Sequence, residues 1–275
     1  FRSERHAMRS LLALSLMTLA LAGLPSPAPA AACDAPSGIW GPFAPLERTQ
    51  ARLAATRSLK IVAVGSSSTY GTGATSREHS YPSQLARILR QRFPQAKMEV
   101  INAGIGGETV ALNLARFERD VLAHRPDLVI WQVGTNDAFQ KKGTQEVYAG
   151  IQEGVRRVRA SGAELVLMES QYFPERPETE ALAQARATIR RAAADAGVEF
   201  LPRYALMRHW IKAGLFSPKT MLIADKIHMT DASYQCLAER VADLLPAAPA
   251  SEASDVTTVT TDDPKSPANR QVAAN

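Results

Sequence analysis

A repeated switch of hydrophobic period limits what this chain can fold into more than any other feature. Short apolar runs, LKIVAVG (59–65), MEVINAG (98–104), DLVIWQVG (127–134), ELVLMES (164–170) and VEFLP (198–202), alternate with stretches whose apolar residues recur at helical spacing. Two of these stretches are YPSQLARILRQRF (81–93) and ETVALNLARFERDVLAH (108–124), and further helices are expected near 144–161, 178–196 and 231–245. Short apolar strands separated by amphipathic helices specify a parallel sheet covered on both faces. The expectation is an α/β protein, a three-layer α/β/α sandwich on a five-stranded parallel sheet. Helix punctuation agrees, with Pro94 after the first helix, Pro126 after the second, Gly197 after the fourth and Pro246 at the end of the last.

This pattern occupies 58–246, which is long enough for one core. What precedes it has a different composition. A basic segment, Arg2 to Arg9, leads into the 14-residue apolar run Leu11 to Leu24 and then into PSPAPAAAC, the three-part layout of a secretory signal peptide over 1–32. The apolar run is short of the roughly 20 residues that span a bilayer, so cleavage and export are expected rather than a membrane anchor. Met8 is the expected initiator, and small residues at 28–32 offer the cleavage sites. Residues 33–57, rich in Pro, Gly and Ala, read as an extended lead-in, and 247–275, poor in large apolar residues, as a disordered tail.

The chain holds two cysteines, Cys33 and Cys236. An oxidising compartment lets them pair, which would staple the lead-in to the final helix. Three of the 32 basic residues and one of the 27 acidic ones fall within 1–32, so the formal net charge of +5 drops to about +3 for the remainder. That balance is too mild to argue for a nucleic-acid partner, and no Lys/Arg run interleaved with aromatics occurs. His79, His124 and His209 lack the Cys or acidic partners of a metal site.

Ligands of open parallel sheets collect beyond the carboxyl ends of the strands. The first three strands run into Gly65-Ser66-Ser67-Ser68-Thr69-Tyr70-Gly71, Asn102-Ala103-Gly104-Ile105-Gly106-Gly107 and Gly134-Thr135-Asn136-Asp137. Each taken alone is ordinary turn chemistry. The glycine turn also lacks GxGxxG spacing and a P-loop lysine. A fourth segment, Asp225-Lys226-Ile227-His228, sets a carboxylate and an imidazole three positions apart before the last helix. A serine hydroxyl needs a base to become a nucleophile, and that base needs a carboxylate to fix its tautomer.

Together, in this order, the four segments resemble the SGNH hydrolase family, also called GDSL esterases, over about 58–246. The resemblance implies a flavodoxin-like SGNH catalytic domain there, with Ser67 as nucleophile and His228, oriented by Asp225, as general base. It also implies an oxyanion hole made by the amides of Ser67 and Gly104 and the side chain of Asn136. Ser66 stands where the family commonly has Asp, which leaves Ser66 and Ser68 as competing candidates for the nucleophile. No GxSxG elbow of an ordinary α/β-hydrolase is present.

The implied activity is hydrolysis of carboxylic esters, of short acyl groups or of acetyl groups borne on carbohydrate, by an exported enzyme without metal or organic cofactor. The expected partner is a small-molecule or glycan ester, with no nucleic acid and no membrane span in the mature chain. Two rival readings share the same rim: an acyltransferase on the same triad, and a periplasmic glycan-binding module without turnover. Tyr70, Phe139 and Tyr172, just past strand ends, are candidate pocket residues, whereas Trp131, within a strand, is expected in the core.

Overall fold

The computed structural model describes residues 33–36, 38–39 and 46–246. The expected signal peptide and C-terminal tail lie outside the described residues. Five strands, β1 (Ser58–Gly65), β2 (Lys97–Gly104), β3 (Leu128–Gln132), β4 (Glu164–Met168) and β5 (Glu199–Leu201), form a parallel sheet in the order β2-β1-β3-β4-β5. This is the flavodoxin-like order, and the sheet is the one the apolar runs predict. Helices are α1 (Glu47–Thr56), α2 (Ser67–Tyr70), α3 (Tyr81–Arg92), α4 (Val110–Ala115), α5 (Phe117–Asp120), α6 (Thr135–Phe139), α7 (Thr144–Ala160), α8 (Glu180–Ala196), α9 (Arg203–Lys212), α10 (Pro218–Met221) and α11 (Asp231–Ala242).

Alternate strand residues feed two separate cores, as the period of two requires. Ile61, Ala63, Ile130 and Met168 face Leu85, Leu89, Leu206 and Leu237 of α3, α9 and α11. Val62, Val64, Trp131 and Leu167 face Ile151, Val155 and Ile189 of α7 and α8. Trp131 is fully buried, as expected, because α7 presents Gly154 to it: a Cβ there would stand 2.2 Å from the indole.

Three segments depart from the sequence reading. Part of the lead-in is a helix, not extended chain: α1 drops Leu46 into the core, and the amides of Arg48 and Thr49 in its first turn donate to the Glu164 carboxylate, an anion where the helix dipole favours one. The single helix expected over 108–124 is instead α4, α5 and a 3-10 turn, broken at Arg116 and Val121. Finally, α9 was not anticipated, although Leu206, Met207 and Trp210 give it a helical apolar stripe. Cys33 and Cys236 are disulfide-bonded, which fastens the lead-in to α11 across 203 residues of sequence. Among the described residues no helix is long and apolar enough to cross a membrane.

Candidate active site

Pairing of Gly65 with Gly104, and of Val64 with Trp131, brings the carboxyl ends of β1, β2 and β3 level. The turns after them therefore share one rim. Ser67 opens α2, half-buried, with Ser66 at the N-cap position. Its Oγ lies 2.8 Å from His228 Nε2, and His228 Nδ1 lies 2.6 Å from Asp225 Oδ2. Partial burial pulls the Asp225 carboxyl upward, but hydrogen bonds from the His228 ring and from the amides of His228 and Ile227 outweigh it and hold the group below the usual carboxylate range. An ionised carboxylate only accepts. Nδ1 is therefore the donor to Asp225, and the Nε2 lone pair faces the Ser67 hydroxyl.

The loop that carries this pair is held at both ends. Leu222 and Met229 form an antiparallel bridge, and the Ile223 amide donates to the His228 carbonyl at 2.9 Å. Lys226 takes a left-handed conformation (φ 60°) to turn the chain.

Geometry separates the three serines. The Ser66 hydroxyl donates to Gln132 Oε1 at 3.0 Å, inside the core. Ser68 is buried, with its hydroxyl near Gln171 Oε1 (3.5 Å) and accepting from Arg203 (3.3 Å). Among the three, Ser67 alone reaches His228.

The expected oxyanion donors are placed less uniformly. Asn136 opens onto the rim from α6, and its Nδ2 donates to the Glu108 carbonyl at 2.9 Å. Neighbouring Asp137 accepts the Val110 amide at 3.1 Å, which fastens α6 to the start of α4. Burial is the main influence on Asp137 and pushes its carboxyl up despite that bond. Gly104 must be glycine, because a Cβ there would stand 2.2 Å from the Tyr70 amide nitrogen of α2. Its own N–H, however, donates to Asn102 Oδ1 at 3.0 Å, so it is not free for an oxyanion. Gly106, two residues on, lies beside Ser67, with 3.9 Å between a would-be Cβ and the serine Cβ.

Gln171 was missed in the sequence. Its Oε1 accepts from Thr135 and Ser68 while its Nε2 donates to the Ile227 carbonyl at 3.3 Å, which stitches α6, α2 and the His228 loop together. The signal was its position just past β4, on the same rim as the other turns. Among the described residues Tyr70, Ile105, Leu112 and Phe139 are the exposed large hydrophobics, and all four come after the carboxyl ends of β1, β2 or β3 in the chain. Tyr172 instead packs edge-on against Tyr204, with ring centroids 5.3 Å apart.

Architecturally the chain is of the SGNH type. Its structure resembles that of an acetylxylan esterase from Geobacillus stearothermophilus, with a TM-score of 0.59 at 21% identity, covering 68% of this chain and 93% of that one. It belongs to the Non-GDSL lipase-like family, whose model matches residues 32–250. Among curated relatives, an arylesterase of Vibrio mimicus is 30% identical over 97 residues, which is 35% of this chain and 48% of the relative. An uncharacterized lipoprotein, YqeF, of Bacillus subtilis is 36% identical over 78 residues, which is 28% of this chain and 32% of the relative. The matches thus span a third to a half of these relatives.

Proposed function

We propose that the protein is an exported serine esterase that hydrolyses short-chain or carbohydrate-borne acyl esters. The observation that carries this reading is the unbroken chain Ser67 Oγ, His228 Nε2, His228 Nδ1, Asp225 Oδ2, with contacts of 2.8 and 2.6 Å. His228 takes the Ser67 proton as the hydroxyl attacks the ester carbonyl, and Asp225 stabilises the imidazolium that forms. The leaving alcohol collects that proton, and water releases the acyl group by the reverse path.

The oxyanion is met by the Ser67 amide, a first-turn donor without an intrahelical acceptor, and by the second amide hydrogen of Asn136. With the Gly104 N–H committed to Asn102, we assign the third donor to the Gly106–Gly107 peptide, the next stretch of the turn and the one beside Ser67. Aromatic and aliphatic side chains around the rim give the acyl or alcohol portion an apolar seat. Export is supported by the N-terminal sequence pattern, by the disulfide and by the lipoprotein relative.

Assays on p-nitrophenyl acetate and acetylated xylan test the reading. Ser67→Ala is expected to fold and to lose hydrolysis, and a fluorophosphonate should label the peptide containing Ser67. Asn136→Ala is expected to lower kcat by about 10²–10³ with the triad intact. Full activity in Ser67→Ala would overturn the assignment.

A further inference from the structure

Below α2 lies a charge that the proposed chemistry does not use. Arg203, the first residue of α9, is 0% exposed. Its Nη2 donates to Ser68 Oγ at 3.3 Å and lies 3.0 Å from Met229 Sδ, while Nε and Nη1 have no partner among the described residues. Two phenols, Tyr81 and Tyr234, act on its charge, and among the described residues no carboxylate forms an ion pair with it. Burial lowers the guanidinium only to about 10, so it stays cationic at neutral pH. The phenols offer it little. Tyr234 donates its hydroxyl to the Thr72 carbonyl at 2.8 Å, and the buried Tyr81 hydroxyl lies beside the Thr69 side chain.

A lone buried cation opposes folding, and apolar residues of similar volume commonly serve stability better. Its contacts say what it does instead. Ser68 follows Ser67, and Met229 follows His228, so one nitrogen bridges the neighbours of two groups that lie 161 residues apart in sequence. We propose that Arg203 is a positioning residue: by gripping Ser68 and Met229 together it holds the Ser67 helix against the His228 loop at hydrogen-bond distance. This rests on the reading of Ser67 and His228 as nucleophile and base.

Arg203→Met, which keeps an unbranched apolar stem and removes the charged head, tests the proposal in the full chain. We expect a melting temperature at or above that of the parent. On p-nitrophenyl acetate kcat should fall by about tenfold or more with KM little changed, the mark of an interaction that matters in the transition state. Arg203→Lys, which keeps the positive charge and N–H donors on a flexible stem, should recover much of the loss. A crystal structure of the Met variant should show Ser67 Oγ and His228 Nε2 separated beyond about 3.2 Å.

Parental kcat in a folded Arg203→Met overturns the proposal. A loss matched by a lower melting temperature and not recovered by Lys overturns it too, since packing alone would explain that. If Arg203→Met does not fold, Met229→Leu decides: a several-fold lower kcat at parental stability supports the tie, and parental kcat refutes it. Fluorophosphonate labelling of the parent judges the nucleophile separately. Were the parent unlabelled, that reading would fail, and the Ser67–His228 separation in the Met variant would still judge Arg203.

Discussion

Two arginines are buried near the strand that delivers Ser67, one on each side of the sheet, and the protein solvates them in opposite ways. Arg116 meets the Glu108 carboxylate through Nε (2.8 Å) and Nη2 (2.5 Å), reaches Asp120 at 3.3 Å, and donates to the Gly65 carbonyl at 3.4 Å. Arg203 meets one hydroxyl and one thioether. A buried charge matched by carboxylates is part of the scaffold, because removing either member strands the other. An unmatched one has no such claim on stability, and so its retention calls for a role in the site.

The largest effect that would break this comparison is at Arg116. Arg116→Met leaves the mostly covered Glu108 carboxylate with Asn113 Nδ2 as its remaining side-chain donor among the described residues. Stability is expected to fall by about 3–5 kcal/mol, read as a lower urea midpoint, whereas Arg203→Met should lose nothing. Activity should fall as well, since Glu108 also supplies the carbonyl that holds Asn136. Equal stability in the two variants would erase the distinction.

The same contrast explains what the sequence made legible. Five apolar runs marked the strands to within a few residues because the inner strands β1, β3 and β4 are buried along nearly their whole length, while the edge strand β2 keeps enough apolar residues around Glu99 and Asn102 to be recognised, and α7 and α8 followed from their long amphipathic periods. The stretch 108–124 has the same helical period, yet it breaks at Arg116, where the guanidinium turns inward to Glu108 and Gly65. Tertiary charge pairing overrode local propensity there, and no window of sequence contains Gly65. Asp225 and His228 were legible because they stand only three positions apart. Gly104 was harder, since AGIGG holds three glycines and their pattern does not say which amide is already spent on Asn102. Arg203, in RYALMRHW, reads as one more solvated cation, because its burial is decided by Ser68 and Met229, which are distant in sequence.

A buried acid sharpens the comparison next. Glu169, just past β4, is fully buried, and Arg190 approaches it only to 3.7 Å. Burial raises its carboxyl from 4.5 to about 7, with Arg190 and Arg186 opposing. A carboxyl without a close partner can escape its charge by keeping a proton, an option the guanidinium of Arg203 lacks. Below pH 4.5 both folded and unfolded states hold that proton, and the stabilising contribution is complete. From there to about pH 7 the unfolded state binds fewer protons, so stability declines as pH rises, by roughly 3 kcal/mol in all. Glu169→Gln should flatten that decline in urea midpoints taken at pH 5 and pH 8. An unchanged slope would mean that Glu169 is ionised when folded.

The smallest effect probes how far the pairing around Arg116 extends. Asn113 joins it to the core: its Nδ2 donates to Glu108 at 2.5 Å, and its Oδ1 accepts the buried Trp131 indole N–H at 2.8 Å. Asn113→Ala deprives the indole of its acceptor and Glu108 of one donor, but Arg116 remains on the carboxylate. A loss of about 1–2 kcal/mol is therefore expected, well short of that in Arg116→Met, with Asn136 still held and kcat little altered. If Asn113→Ala costs as much as Arg116→Met, the network acts as one hydrogen-bonded unit rather than as a charge pair with attachments. Arg116 would then owe its place to cooperativity, and its contrast with Arg203 would rest on hydrogen-bond count instead of charge.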